Sequence, residues 1–288
     1  MKDKELEKLI EKLVALYLAA NDEFINLIIN GMAVEYPTDS VHVQSMTSML
    51  SRITSLSTTL KNSSKPKVES VIKTAYESGY LNASNSLDGN TAIEYTDTQQ
   101  ATLNKLLTDT YNDMLIATKY MSEAAKKFVR VKTSQVMQLQ QAVRQGNKGL
   151  AYSLARQLEA GKLSKDANSQ AFTGIVDKAG RRWNLKNYSE MVVRTKAQQA
   201  HIYGTAEQAH ELGCHLFIIS SHNAIDACSH WEGKIISVGE DIEGYPSYEE
   251  IASSLECFHP NCKHTITPVS EGVVKRMNSR KSSYLNNS

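Results

Sequence analysis

The placement of proline is the feature that most constrains the fold of this chain. No proline occurs between Pro66 and Pro246. Proline inside a helix removes one backbone hydrogen bond and clashes with the preceding turn, so this stretch is compatible with long helices. Near the C-terminus, in contrast, Pro246, Pro260 and Pro268 follow one another closely. The chain therefore divides into a long helical body and a compact C-terminal module.

Apolar residues recur at helical spacing in the first part of the body. Residues 3–31 carry them on one face and predict a first helix that ends near Gly31. Residues 40–60 predict a second helix. A third is expected to begin at Pro66, because proline is tolerated in the first turn of a helix, and to end near Leu81.

A very long helix is predicted over residues 98–145, with Asp97 or Thr98 as its N-cap. Apolar residues recur in it every seven positions, which predicts a packing seam for other helices. The residues of this seam are Leu107, Met114, Met121 and Phe128, with Ala117, Ala124 and Val131 beside them. A shorter helix follows the break at Gly146, and the helical body is assigned to residues 1–165.

The pattern of apolar and turn-forming residues changes after the helical body. Residues 172–183 predict a β-hairpin, and residues 187–212 predict an amphipathic helix. Ser247, with Glu250 three residues later, forms a capping box for a short helix. Three short apolar segments predict strands: 215–220, 231–238 and 263–269. The predicted fold class is therefore α+β and predominantly helical, with an α+β module at 172–270 and a flexible polar tail at 271–288.

The overall charge excludes one broad class of protein. Lysine and arginine number 32 and aspartate and glutamate 31, giving a net charge of +1, which argues against a general polyanion binder.

The most apolar early run, Leu13–Ala20, is short of the roughly 20 residues that span a bilayer, so no membrane-spanning segment is predicted. No apolar signal core is present at the N-terminus. Disulfides are therefore not expected, and cysteine–histidine clusters predict metal ligands or core residues.

Cysteine and histidine crowd into one part of the module. All four cysteines and seven of the eight histidines fall between His201 and His264. Zinc takes about four nitrogen or sulfur donors in a tetrahedron, usually from two short chain segments, and two such segments are present here. The predicted zinc ligands are His222, Cys228, Cys262 and His264, with His259 as the alternate.

Other interpretations of these residues stay open at this stage. Buried cysteine often acts as a small hydrophobic residue, and on that view the cluster is an ordinary core. A metal-dependent hydrolase or nuclease would use His222, His259 and His264 and would need an open coordination position. DNA contact through exposed basic residues is a third alternative, and it would involve Arg181, Arg182, Lys275, Arg276, Arg280 and Lys281.

Several motifs of the module occur in a specific order. They begin with Val176-Asp-Lys-Ala-Gly-Arg-Arg-Trp183, Tyr188-x-Glu-Met191 and Arg194-Thr195. They continue with Ser220-Ser-His222, Cys228-x-x-Trp231-Glu-Gly-Lys234, Tyr245-Pro and Phe258-His-Pro-Asn-Cys-Lys-His264. This series resembles the phage minor capsid protein 2 family, which is related to the Mu-F-like head morphogenesis proteins of tailed phages. The resemblance covers residues 172–270.

This resemblance implies a virion structural protein and no enzyme. Such proteins associate with the portal protein and other head proteins, are thought to assist head assembly, DNA packaging or ejection, and are assembled in the host cytoplasm. Many relatives carry a further cysteine at the position of Ile225. Its absence here leaves His222 or His230 to supply the missing donor.

Overall fold

The computed structural model describes residues 4–33, 46–167, 175–176, 180, 182–270 and 272–274. These residues form an α+β fold dominated by helices, as predicted. The helices are α1 (Lys4–Met32), α2 (Met46–Ser86), α3 (Asp97–Arg144), α4 (Lys148–Gln157), α5 (Ala160–Asp166), α6 (Leu185–Glu211) and α7 (Tyr248–Ser254). The strands are β1 (Ile175–Val176), β2 (Arg182–Trp183), β3 (Phe217–Ile219), β4 (Ile235–Ile236) and β5 (Ile266–Pro268).

The described chain separates into two compact units. One contains the described residues of Met1–Glu7, Val68–Thr110 and Met191–Ser288, and the other those of Lys8–Lys67 and Tyr111–Glu190. The helices α2 and α3 contribute residues to both units. The predicted domain boundaries, which give a body at 1–165, a module at 172–270 and a tail at 271–288, remain a prediction.

Helix α1 is long and apolar enough, by length and composition alone, to cross a membrane, with a mean hydropathy of 1.2 over 18 residues. Its apolar face is nevertheless packed inside the protein. Tyr17 and Phe24 are fully buried, and the Tyr17 hydroxyl donates to the carbonyl of Met114 in α3 at 3.2 Å. This is the arrangement of a core helix, and it is consistent with the prediction of no membrane-spanning segment.

Pro66 lies inside α2 rather than at the start of a new helix, so the predicted break before it is wrong. Apolar residues are buried along α2 on both sides of the proline, from Ile53 and Leu60 to Val68 and Ile72. Burial of each such side chain contributes about 1.5–3 kcal/mol. Together they outweigh the roughly 3 kcal/mol that an internal proline costs.

Helix α3 begins one residue earlier than predicted. Thr96 is its cap, because the Gln99 backbone N–H donates to the Thr96 hydroxyl at 3.3 Å. The Gln99 side chain in turn accepts from the Thr96 N–H at 3.0 Å. This reciprocal pair is a capping box that the sequence analysis missed in favour of Asp97 and Thr98.

The predicted seam of α3 is only partly filled. Met114, Met121 and Phe128 are buried, whereas Val131 is 52% exposed. A straight α-helix has 3.6 residues per turn, so a strict seven-residue repeat drifts around it. The buried stripe therefore moves away from Val131 to Lys132 and Val136.

The C-terminal strands form two small antiparallel sheets. Strands β1 and β2 pair as the predicted hairpin, with Ile175 opposite Trp183. Strand β3 lies between β4 and β5, and Ile219 at its end faces Ile266 at the start of β5. The three-stranded sheet packs its apolar side chains against α6 and α7 in one core. Most of the predicted tail, residues 275–288, falls outside the described residues.

Candidate metal centre

The sheet brings two loops of the module together. Because β3 and β5 run antiparallel with Ile219 opposite Ile266, the chain leaving β3 and the chain entering β5 meet at the same end. The 3-10 helix Ala227–His230 lies in the first loop and presents Cys228, with the Asp226 side chain accepting the Cys228 N–H at its N-terminus. The second loop presents Cys262 and His264.

Four potential metal ligands converge at this end of the sheet. They are Cys228, Cys257, Cys262 and His264, and their ligand atoms all lie within 4.8 Å of one another. Cys228, Cys257 and His264 are at most 1% exposed, and Cys262 is half-buried. All four cysteines of the chain are free thiols. The described residues therefore include a buried group of three sulfurs and one imidazole that can hold a metal ion.

Two distances in this Cys3His cluster are close to those of a tetrahedral site. With zinc–sulfur bonds of about 2.3 Å, tetrahedral angles require sulfur atoms about 3.8 Å apart and a sulfur–nitrogen distance of about 3.6 Å. The Sγ atoms of Cys228 and Cys262 are 3.8 Å apart. Cys262 Sγ lies 3.2 Å from Nδ1 of His264, so a bound ion would require only a few tenths of an ångström of movement there.

The loop between Cys257 and Cys262 is tightly turned. The Cys262 N–H donates to the carbonyl of His259 at 2.9 Å, closing a turn with Pro260 and Asn261 at its centre. Asn261 has a φ of 65°, as the third position of a type II turn requires. Phe258 also has a positive φ, 55°, which is unusual for a bulky residue and brings both sulfurs to the same side.

The cluster favours one thiolate. A hydrogen bond from Cys257, together with those from the backbone of His264 and from Cys228, lowers the pKa of Cys262 to about 4. Burial and the negative charge of Cys262 raise the pKa of Cys228 to about 12, and the contact with Cys262 raises the pKa of Cys257. Negative charge thus concentrates on Cys262, the most accessible sulfur of the cluster. The resulting thiolate is the form of cysteine that binds a cation.

Glu232 orients the imidazole of the cluster. Its Oε1 atom accepts the backbone N–H groups of His222 at 2.9 Å and Ala224 at 3.0 Å, and these bonds lower the pKa of Glu232 to about 2. The same oxygen lies 3.2 Å from Nε2 of His264. An Nε2–H donor facing this carboxylate leaves the Nδ1 lone pair directed at the sulfurs, a pairing common around protein-bound zinc.

The structure gathers three of the five predicted ligands, namely Cys228, Cys262 and His264. His222 packs against His264 with ring centroids 4.1 Å apart and the ring planes tilted by 39°, and its backbone N–H binds Glu232. His259 lies 3.4 Å from Asp226, on the outer side of the 3-10 helix cap. The predicted ligand set therefore stays a prediction, with Cys257 as the structure's fourth donor.

Two residues of the site were missed by the sequence analysis. Cys257 is not among the predicted ligands, but it precedes Cys262 by five residues, a spacing that is a usable signal when two residues between them turn the chain. Glu232 carried no signal beyond its place in the Trp231-Glu-Gly motif. Ile225, the position at which the resemblance implies a further cysteine in relatives, is fully exposed.

Other residues singled out in the sequence have structural contacts. The thiol of Cys214 donates to the carbonyl of Val269 at 3.3 Å, away from the cluster. Trp231 packs at the edge of the core, and its indole N–H donates to Glu256 at 3.2 Å. Arg194 donates both ends of its guanidinium to Glu7. Of the residues proposed for DNA contact, Arg182 lies in β2, and the other five fall outside the described residues.

Comparison with known proteins gives one match. A family model described as phage minor capsid protein 2 matches residues 1–287, nearly the entire chain. No curated protein and no solved structure matches it. The match includes the helical body, which the sequence motifs alone had not covered.

Proposed function

The chain belongs to the phage minor capsid protein 2 family, and from that membership we propose that it is a portal-associated head morphogenesis protein. It assists head assembly, DNA packaging or ejection, and it joins the particle in the host cytoplasm. Its helical body, residues 1–165, binds the portal protein or another head protein. Its module, residues 172–270, is a rigid domain held together by zinc, and residues 271–288 form a tail.

One observation carries the partner-binding part of this proposal. The predicted seam of α3 borders an open groove of about 670 Å³, with α4 and α5 on its other side. Tyr120, Ala124, Phe128 and Val131 form an apolar stripe along it at successive helical turns. Charged residues line the rest of the groove, namely Glu123, Lys127, Lys132, Lys162 and Asp166. An apolar stripe with this spacing is the surface that a partner helix packs against. We propose that a helix of the portal protein or of another head protein fills this groove.

The groove gives a direct test with purified portal protein of the same phage. Val131→Asp should abolish co-purification, because the substitution puts a charge in the apolar lining. Ile116→Asp is the matched control, since Ile116 is also on α3 and 42% exposed but does not line the groove. Equal portal binding by both variants and the unaltered chain would overturn the groove as the docking site. No binding by the unaltered chain would overturn portal association itself.

Zinc is the metal best suited to the Cys3His cluster, since thiolate and imidazole donors in a tetrahedron favour it. When bound, it cross-links the two loops around β3 and β5 and stabilises a small module. Elemental analysis should find bound zinc, and Cys228→Ala, Cys257→Ala and Cys262→Ala should each contain one zinc per chain less than the unaltered protein. Cys214→Ala controls for the loss of a buried thiol and should keep the metal. If the unaltered protein contained no metal, these cysteines and His264 would be ordinary buried core residues.

The closed set of donors also supports a non-catalytic role. A metal hydrolase keeps one position open for water or substrate, whereas four protein donors fill a tetrahedron. The competing hydrolase or nuclease hypothesis uses His222, His259 and His264. Cleavage of plasmid by metal-loaded protein, lost in His264→Ala, would support that hypothesis over ours. DNA contact would instead appear as binding that weakens steeply with salt.

A further inference from the structure

A second group of potential metal ligands lies at the opposite end of the three-stranded sheet. It consists of His210, His215 and Glu240, whose ligand atoms lie within 4.8 Å of one another. Nε2 of His210 is 3.5 Å from Oε1 of Glu240, and Nδ1 of His215 contacts the same oxygen. The two imidazole rings stack with centroids 5.1 Å apart. None of these residues belongs to the Cys3His cluster.

The fold itself determines this juxtaposition. His210 is in the last turn of α6, and Gly213, with a φ of 75°, turns the chain back toward β3 just before His215. Strands β3 and β4 pair with Phe217 opposite Ile236, a register that brings the chain after β4 alongside the chain before β3. Glu240 follows β4 by four residues and so arrives at the same end.

The loop that carries Glu240 is held in place. The Gly239 N–H donates to Oε1 of Glu249 in α7 at 3.2 Å, and the Tyr203 hydroxyl of α6 donates to the same oxygen at 3.1 Å. Gly239 has a φ of 76°, a conformation that favours glycine. Because these bonds fix the loop to both helices, the carboxylate does not depend on the histidines for its position.

One atom of the group points to a missing ligand. Nε2 of His210 is buried and makes no hydrogen bond with the residues that the structure describes, although it lies 3.5 Å from Oε1 of Glu240. A buried ring nitrogen without a hydrogen bond is costly, and a metal ion held between His210 and Glu240 would satisfy it. His215 and Glu240 leave 47% and 43% of their side chains exposed, so an ion can reach the group from solvent.

We propose that His210, His215 and Glu240 form a second, open site for a divalent transition metal. Two imidazoles and a carboxylate suit zinc, iron, nickel, copper and cobalt. Metal–ligand bonds of about 2.0–2.1 Å place neighbouring donor atoms about 3.0–3.4 Å apart, close to the 3.5 Å between Nε2 of His210 and Oε1 of Glu240. Three protein donors leave at least one coordination position for water. The site thus differs in chemistry from the closed, sulfur-rich cluster.

Cobalt(II) distinguishes the two sites, because only thiolate ligands produce an intense sulfur-to-metal charge-transfer band in the near ultraviolet. Untagged, metal-free protein should bind two equivalents of cobalt by equilibrium dialysis. One should produce the band and the other should not. His215→Ala and Glu240→Gln should each lose the band-silent equivalent and keep the band. Both residues are exposed, and unchanged far-ultraviolet circular dichroism would confirm that the variants fold.

Matched controls make the result specific. His230→Ala and Glu243→Gln remove an exposed histidine and an exposed glutamate outside this group and should keep both equivalents. A band-silent equivalent that survives in His215→Ala and Glu240→Gln would overturn the proposal, as would its absence in the unaltered chain. Loss of the band alone, as expected in Cys257→Ala, concerns the Cys3His cluster and leaves this site in place.

Discussion

The close crossing of α2 and α6 makes a sharp prediction about stability. A Cβ atom added at Gly79 would lie 2.0 Å from the backbone carbonyl oxygen of His201. On the other helix, a Cβ atom at Gly204 would lie 2.2 Å from the carbonyl oxygen of Tyr76. The two helices therefore touch backbone to backbone at a pair of glycines, and any side chain at either position must separate them.

The cost of Gly79→Ala follows from this distance. Carbon and carbonyl oxygen normally approach no closer than about 3.3 Å, so the helices must move apart by more than about 1 Å. The obstructing atom is backbone and cannot rotate away, which places the cost at the upper end of overpacking, about 3 kcal/mol. Alanine regains about 1 kcal/mol in helix propensity. The free energy of unfolding should therefore fall by about 2 kcal/mol.

Urea unfolding followed by far-ultraviolet circular dichroism measures this change as a lower midpoint at constant slope. Gly161→Ala in α5 is the control, because no atom lies within 4 Å of the added Cβ there. It should raise stability by about 0.5–1 kcal/mol. Gly79→Ala combined with Gly204→Ala should cost less than the sum of the two, since the first substitution already separates the helices. Equal stability of Gly79→Ala and Gly161→Ala would refute the reasoning.

Three further predictions concern buried charges. Glu232→Gln should weaken metal binding by the Cys3His cluster about 10- to 100-fold in chelator competition, because the neutral amide orients His264 less well; Glu256→Gln should not. Lys132→Met should lower the free energy of unfolding in urea by at most about 3 kcal/mol, because its 3.0 Å ion pair with Asp166 is buried while Lys162, at 3.3 Å, stays paired with the same carboxylate. Burial raises the pKa of Glu207, so the folded state binds its proton more readily and stability falls as pH rises through that carboxyl's titration. Glu207→Gln should remove this decline, and an unchanged pH profile would contradict it.

The long helices could be predicted from the sequence because their signals are local. The spacing of apolar residues gave α1 and α6 nearly to their ends, and Ser247 with Glu250 identified the start of α7 correctly. The predicted helix start at Pro66 was wrong because proline is a strong local signal for a helix boundary. The burial of apolar residues that keeps α2 continuous there comes from contacts with helices distant in sequence. The Thr96 cap was missed because several neighbouring residues are equally good caps by type, and only the Gln99 side chain distinguishes them.

The metal cluster shows what spacing can and cannot predict. Cys228, Cys262 and His264 lie in two short segments next to strands that pair. Metal ligands usually come from two such segments, so these three residues could be predicted from the sequence. Cys257 and His222 have similar claims by sequence, since each lies five or six residues from a predicted ligand. What separates them is backbone conformation: the positive φ values at Phe258 and Asn261 fold Cys257 inward, while Glu232 holds the backbone of His222 outside. The fourth donor is therefore decided by turn geometry, which the spacing of cysteine and histidine along the sequence does not show.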